Sequence, residues 1–212
     1  MKKIIIICFC VLFLAASCSQ NSTIPAPANP TENKPVAKPT TQTTETKKTF
    51  KLPIANALER ITKKPFGLQV SPQSSPVSPE RFSGYHNAVD FEMLNVDEEK
   101  NDVEFMAICS GSILRQSTVS GYGGLLVMGC NINNMDITVN YGHVRLSSLK
   151  YKVGEFVEAG NVLGVLGTGY SKETDNERKH LHLGIHKGKT INISGYVKTK
   201  QELEDWIDFT KF

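Results

Sequence analysis

The chain has 212 residues, enough for one medium domain with appendages, and its formal charge of +3 is set by those appendages. Lys2 and Lys3 contribute +2, and Lys34, Lys38, Lys47 and Lys48 against Glu32 and Glu45 contribute another +2, which leaves residues 50–212 at −1. A near-neutral domain lacks the basic footprint of a nucleic-acid binder, so no nucleic-acid partner is expected.

Taken in chain order, a short basic start, Met1-Lys2-Lys3, precedes an unbroken apolar run of 11 residues at positions 4–14 and the small residues Ala15-Ala16-Ser17. This is the layout of a signal peptide over residues 1–17, since the apolar run is well short of the ~20 residues that span a bilayer. Cys18 follows at once, and the arrangement resembles the lipobox of bacterial lipoproteins, although Ala15 stands where that family usually has Leu. The resemblance implies acylation of Cys18 and a membrane partner through that lipid anchor; ordinary secretion with a free thiol is the alternative reading. Residues 19–49 hold five of the ten prolines, eight threonines and no aromatic residue, too little apolar surface to offset ordering entropy. Residues 18–49 therefore read as a lipidated cysteine and a Pro/Thr-rich tether.

From Phe50 onward the chain reads as one domain. In residues 53–63, Ile54, Leu58 and Ile61 recur at helical spacing with Pro53 near the start, which predicts a short amphipathic helix. Residues 71–79, with three prolines and four serines, predict an irregular loop. Beyond it, β-rich runs at residues 104–108, 124–128, 137–141 and 162–166 are punctuated by glycine, the pattern of a mostly antiparallel β fold. Thr199 with Glu202 three residues later is a capping-box signature ahead of Leu203, Trp206 and Ile207, which predicts a short C-terminal helix with Trp206 as a packing anchor.

Four of the five histidines fall in three clusters: Tyr85-His-Asn-Ala-Val-Asp90, Tyr141-Gly-His143 and His180-Leu-His182. None sits in a His-Glu-x-x-His helix. On a strand, the alternation from His180 to Ile185 sends Leu181, Leu183 and Ile185 into the core and both histidines to the other face, roughly 6.6 Å apart. His86 and Asp90 would be roughly 13 Å apart on a straight strand, too far to share a metal with ~2 Å bonds, so a bend must separate them. His86 is expected at a loop end and Asp90 at the start of a strand. His186 is on the His182 face but distant, and is read as solvent-facing.

Together these clusters resemble the lysostaphin/LytM family of zinc peptidases, marked by His-x-x-x-Asp, a central His often preceded by Tyr, and a terminal His-x-His. Ala107-Ile-Cys-Ser-Gly111, Gly121-Tyr-Gly-Gly124, Val153-Gly-Glu-Phe-Val-Glu-Ala-Gly160 and Val162-Leu-Gly-Val-Leu-Gly-Thr-Gly169 resemble that domain's strand-and-turn pattern as well. The resemblance covers about residues 81–187. It implies an antiparallel β-sandwich or barrel-like peptidase domain with short flanking helices. Its core would span residues 81–190, between an N-terminal extension at 50–80 and a C-terminal extension at 191–212.

Carried over residue by residue, the resemblance makes His86, Asp90 and His182 zinc ligands and His143 and His180 the catalytic histidines beside them. Three protein ligands leave one position open, the pattern of a catalytic zinc. The implied activity is hydrolysis of peptide cross-links in peptidoglycan by an exported, membrane-anchored lipoprotein facing the cell wall. A non-catalytic activator of wall amidases and a peptidoglycan-binding lipoprotein are the rivals.

Two features depart from the pattern: Ala88 replaces a frequent glycine, and Lys172-Glu-Thr-Asp-Asn-Glu-Arg-Lys179 is a longer, charged lead into His180. The lead is read as a solvated loop that can shape substrate choice. The Gly121–Gly124 run lacks the lysine of a phosphate cradle and reads as a turn. Cys109 and Cys130 are the cysteines left in the domain, and export permits but does not require their pairing.

Overall fold

The computed structural model describes residues 50–212, so the expected leader, the Cys18 anchor and the tether lie outside the described residues. The described part is mostly β, with one short helix, α1 (Val96–Lys100), and several 3-10 turns. In chain order the strands are β1 (Gln69–Val70), β2 (Gly84–His86), β3 (Ala88–Glu92), β4 (Glu104–Met106), β5 (Gly111–Val119), β6 (Gly123–Ile132), β7 (Met135–Gly142), β8 (Phe156–Val157), β9 (Val162–Val165), β10 (His180–Lys187) and β11 (Tyr196–Val197). One antiparallel sheet runs in the order β3-β10-β7-β6-β5-β8; β1-β2-β11 and β4-β9 form two smaller ones. Each β-rich run expected from the sequence is a strand, and residues 71–79 are irregular as expected.

The core lies on one face of the large sheet. Leu181, Leu183 and Ile185 of β10 are at most 1% exposed and pack among Val89, Phe91, Val139 and Tyr141 from the flanking strands. Full burial of such side chains contributes about 1.5–3 kcal/mol each. Strands β4 and β9 cover this layer: the Phe105 ring stands 5.6 Å from that of Tyr141, whose hydroxyl accepts a 2.9 Å hydrogen bond from the Ile108 N–H. Cys109 and Cys130 form a disulfide, tying the entry of β5 to β6.

Periodicity misplaces one element. Instead of a helix across residues 53–63 there is a single 3-10 turn, Ala57–Arg60, entered through Asn56 in a left-handed conformation (φ 54°). With three residues per turn, positions three apart share a face. Ala57 and Arg60 are accordingly buried, as is Ile54 ahead of the turn, while Leu58 is 66% exposed. Arg60 is held inward by bonds to the Ala55 carbonyl (2.6 Å) and both oxygens of Glu98 (2.6 and 2.8 Å).

At the C-terminal end, Thr199 and Glu202 exchange the two expected capping bonds (3.3 and 3.2 Å), although the turn they open, Gln201–Asp205, is 3-10 rather than α. Trp206 is buried. His186, expected to face solvent, instead is half-buried and packs edge-on against Trp206 at 4.9 Å between ring centroids.

Candidate active site

The bend required between His86 and Asp90 is a change of sheet. Strand β2 ends at His86 in the three-stranded sheet, Asn87 intervenes, and β3 continues in the large sheet. Asp90 therefore sits in the middle of β3, not at its start. His86 is fixed by backbone: its N–H donates to the Leu68 carbonyl at 2.8 Å and its carbonyl accepts from Gly67 N–H at 2.7 Å. The β3-β10 register pairs Asp90 directly with His182, which puts both side chains on the same face. Next to them, Gly142 of β7 must be glycine, since a Cβ there would stand 2.4 Å from the Tyr122 ring and 3.3 Å from His182 Cβ.

These constraints converge three donor atoms into a nearly equilateral triangle. His86 Nε2 is 3.3 Å from Asp90 Oδ1 and 3.3 Å from His182 Nδ1, and the latter two atoms are 3.1 Å apart. Ligands of a tetrahedral zinc with ~2.0–2.1 Å bonds stand about 3.3–3.4 Å from one another. All three residues are buried.

The tautomers agree with a cation site. His86 Nδ1 faces the Pro65 carbonyl at 3.3 Å, which can only accept, so the proton sits there and the Nε2 lone pair points into the triangle. His182 Nε2 lies 3.4 Å from the Tyr122 hydroxyl, which can accept its proton, and Nδ1 faces Asp90 Oδ1 at 3.1 Å. With the His182 proton on Nε2, two lone pairs and a carboxylate oxygen converge, a set that a cation satisfies.

Two further imidazoles stand beside this triangle. The rings of His143 and His180 are 4.2 Å apart, and each has Nδ1 on a backbone carbonyl: Thr174 for His143 (3.3 Å) and Arg178 for His180 (2.9 Å). The Nε2 atom of His180 in turn lies 3.3 Å from Asp90 Oδ2. His143 follows β7 with φ 61°, a left-handed conformation that costs a non-glycine residue about 1–3 kcal/mol and is characteristic of functional positions.

Electrostatics follow burial and neighbours. Burial, with His180 and His182 nearby, holds His143 well below the ordinary imidazole value. Burial likewise pushes His182 down to about 4 against the opposing pull of Asp90. Burial would raise Asp90, but the adjacent His180 and His86 hold it well below the carboxylate range.

The charged lead into His180 is only partly a solvated loop, exposed at Lys172 and Asn176 but folded inward elsewhere. Thr174, Arg178 and Lys179 are buried; Lys179 Nζ donates to the carbonyls of Glu98 and Asn101 (2.8 and 2.5 Å), and Arg178 lies against Asp90 and Glu92. A short 3-10 turn capped by Ser171 folds the segment inward, and the Thr174 hydroxyl donates to the Glu177 carbonyl at 2.8 Å. On the outside, Arg81 ties the segment to the loop before β2 through Asp175 and Glu177.

A cavity of about 280 Å³ opens onto Asp90, His143, His180 and His182. Its walls include Tyr122 and Tyr196, neither of which the sequence assigns to the site: Tyr122 is in a glycine-rich run read as a turn, and Tyr196 lies in the C-terminal extension. The Lys64 ammonium donates to the Tyr196 hydroxyl at 2.8 Å and is paired with Glu80. All five site residues expected from the sequence thus meet at one place.

Comparison with known proteins matches the model of peptidase family M23 to residues 84–193. Endolysin 2638A of Staphylococcus phage 2638A is 28% identical over 146 residues, covering 61% of this chain. The chain spans 28% of the length of that relative. A solved structure of LytU is 21% identical at a TM-score of 0.46, covering 72% of this chain and 89% of that one. The catalytic domain of the antimicrobial peptidase lysostaphin from Staphylococcus simulans is 23% identical at a TM-score of 0.45, covering 73% and 93%.

Proposed function

Because the chain belongs to peptidase family M23, we propose that it is a zinc-dependent endopeptidase that hydrolyses peptide cross-links of bacterial peptidoglycan. The observation that supports this most directly is the triangle of His86 Nε2, Asp90 Oδ1 and His182 Nδ1 beside a cavity that also presents two more imidazoles. These three residues would hold the zinc. When bound there, zinc would supply a Lewis acid for the scissile carbonyl and lower the pKa of water toward ~7.

The chain's own residues supply proton handling. His143, kept neutral by burial and with its Nδ1 proton on Thr174, offers Nε2 as the acceptor for the proton of an attacking water. His180, on the same wall, would serve the oxyanion or the leaving amine as an imidazolium, with both ring nitrogens as donors. The Tyr122 hydroxyl, 3.4 Å from His182 Nε2, can accept the proton of the tautomer that exposes Nδ1.

In this reading the leader at residues 1–17 exports the chain, acylated Cys18 anchors it at the membrane, and the tether lets the domain reach adjacent wall. Detergent-phase partition of the full chain against Cys18→Ser checks the anchor: the wild type should enter the detergent phase and the variant should not. For the activity, the test is zinc content together with release of cleaved peptides from purified sacculi. About one zinc per chain and measurable turnover are expected. A zinc-loaded protein inert on every wall type would point instead to an activator of other wall hydrolases.

A further inference from the structure

We infer that Arg178 is a positioning residue for the metal site, one that pins Asp90 so that Oδ1 alone is offered to the cation. The inference rests on the zinc reading above. Asp90 has two oxygens with different surroundings. Oδ1 belongs to the donor triangle, while Oδ2 accepts a 2.8 Å hydrogen bond from Arg178 Nη2. A carboxylate with one oxygen held by a charged donor is restrained from rotating and from chelating a metal through both oxygens.

Arg178 is itself held from the far side. Its Nε lies 3.0 and 2.9 Å from the two oxygens of Glu92, and Nη2 donates to Glu92 Oε1 at 2.5 Å. Asp90 and Glu92 are two residues apart on β3, hence on one face, and Glu92 is the register partner of His180 as Asp90 is of His182. Both carboxylates are buried, at 2% and 5% exposure. Two buried like charges on one strand face repel each other, and a planar guanidinium is the group that can bridge both at once. The same residue's carbonyl takes the Nδ1 proton of His180. Arg178 therefore bears on the ligand Asp90 through its side chain and on His180 through its backbone.

Two effects of Arg178 on zinc oppose each other, and their signs separate the possibilities. As a bare positive charge beside a divalent cation, Arg178 would weaken binding, so its removal would tighten zinc. As a positioning group it strengthens binding, so its removal loosens zinc. Arg178→Lys keeps the charge but cannot bridge Asp90 and Glu92 with a rigid fork; Arg178→Gln removes both charge and fork.

The test is chelator-competition titration of zinc on the purified full chain and both variants, with circular dichroism to confirm folding, and the visible spectrum after cobalt substitution. Both variants are expected to bind zinc about 10–100-fold more weakly. In the cobalt forms, the visible bands should lose intensity as Asp90 is released to bind through both oxygens. If one variant does not fold, the other carries the test. Should melting temperature change in both while zinc affinity and the cobalt spectrum stay as in the wild type, Arg178 would be a structural residue only. Tighter zinc in folded Arg178→Gln would equally overturn the inference. A wild type that binds no zinc would overturn the zinc reading itself, and this inference with it.

Discussion

The two faces of β10 are built from one alternating sequence and do opposite things energetically. On one face Leu181, Leu183 and Ile185 are buried among apolar neighbours and stabilise the fold. On the other, His180 and His182 are buried just as deeply, at 2% and 5% exposure, with only acceptors and other imidazoles around their inward nitrogens. Burying such groups costs free energy that a paired cation or a donor must offset. The core face sets the register that places His182 opposite Asp90, and the site face uses the position at the expense of stability. Changes on the two faces should therefore separate cleanly in what they damage.

The largest effect is expected on the site face. His143→Ala and His180→Ala remove proton-handling groups that are not among the three donors, and each should lower turnover on sacculi by about 10²–10⁴-fold. Zinc content should remain that of the wild type. Full activity in either variant would take that residue out of the reaction. On the core face, Leu183→Ala should cost about 2–5 kcal/mol in equilibrium unfolding, from lost transfer energy and the cavity left behind. The activity of the molecules that remain folded should be little changed. If Leu183→Ala instead abolished zinc binding in a folded protein, the separation of the two faces would fail.

Metal removal probes the cost of the site face directly. Zinc at a free concentration 100-fold above its dissociation constant should stabilise the wild-type fold by about 2.7 kcal/mol, read as a rise in melting temperature over the chelated protein. His182→Ala takes away one of the three donors and should respond far less. An equal response in both would mean that the stabilising zinc sits elsewhere.

How much of this was legible in the sequence depends on the range of the signal. The β10 alternation is local and strong, so both of its faces could be assigned from six residues. The meeting of His86, Asp90, His143 and His182 is non-local, and it was reached through the joint motif resemblance rather than through spacing. Spacing alone required a bend at residues 87–89, which the structure supplies as a change of sheet. Arg178, Tyr122 and Tyr196 were not legible. Arg178 sits in a run of charges whose composition reads as solvated, and only the fold shows that Glu92 and Asp90 draw it inward. The disulfide was open in the sequence because proximity of Cys109 and Cys130 depends on the β5-β6 pairing.

The smallest effect tests where periodicity misled. A 3.6-residue repeat places Leu58 with Ile54 and Ile61 on one buried face, whereas the 3-10 turn at Ala57–Arg60 buries Ala57 and Arg60 and leaves Leu58 outside, with Ile54 buried ahead of it. The two arrangements make different predictions for the same substitution. If Leu58 belonged to a packed helical face, Leu58→Ala would cost several kcal/mol, as core truncations do. At 66% exposure it should change stability by no more than about 0.5 kcal/mol. Ile54→Ala, at 0% exposure, should cost about 2–5 kcal/mol in the same denaturation experiment. The pair is informative because both side chains are aliphatic, similar in size and four residues apart, so the difference isolates the period of the turn. Equal losses would restore the helical face and remove the reason Arg60, rather than Leu58, points inward to meet Glu98.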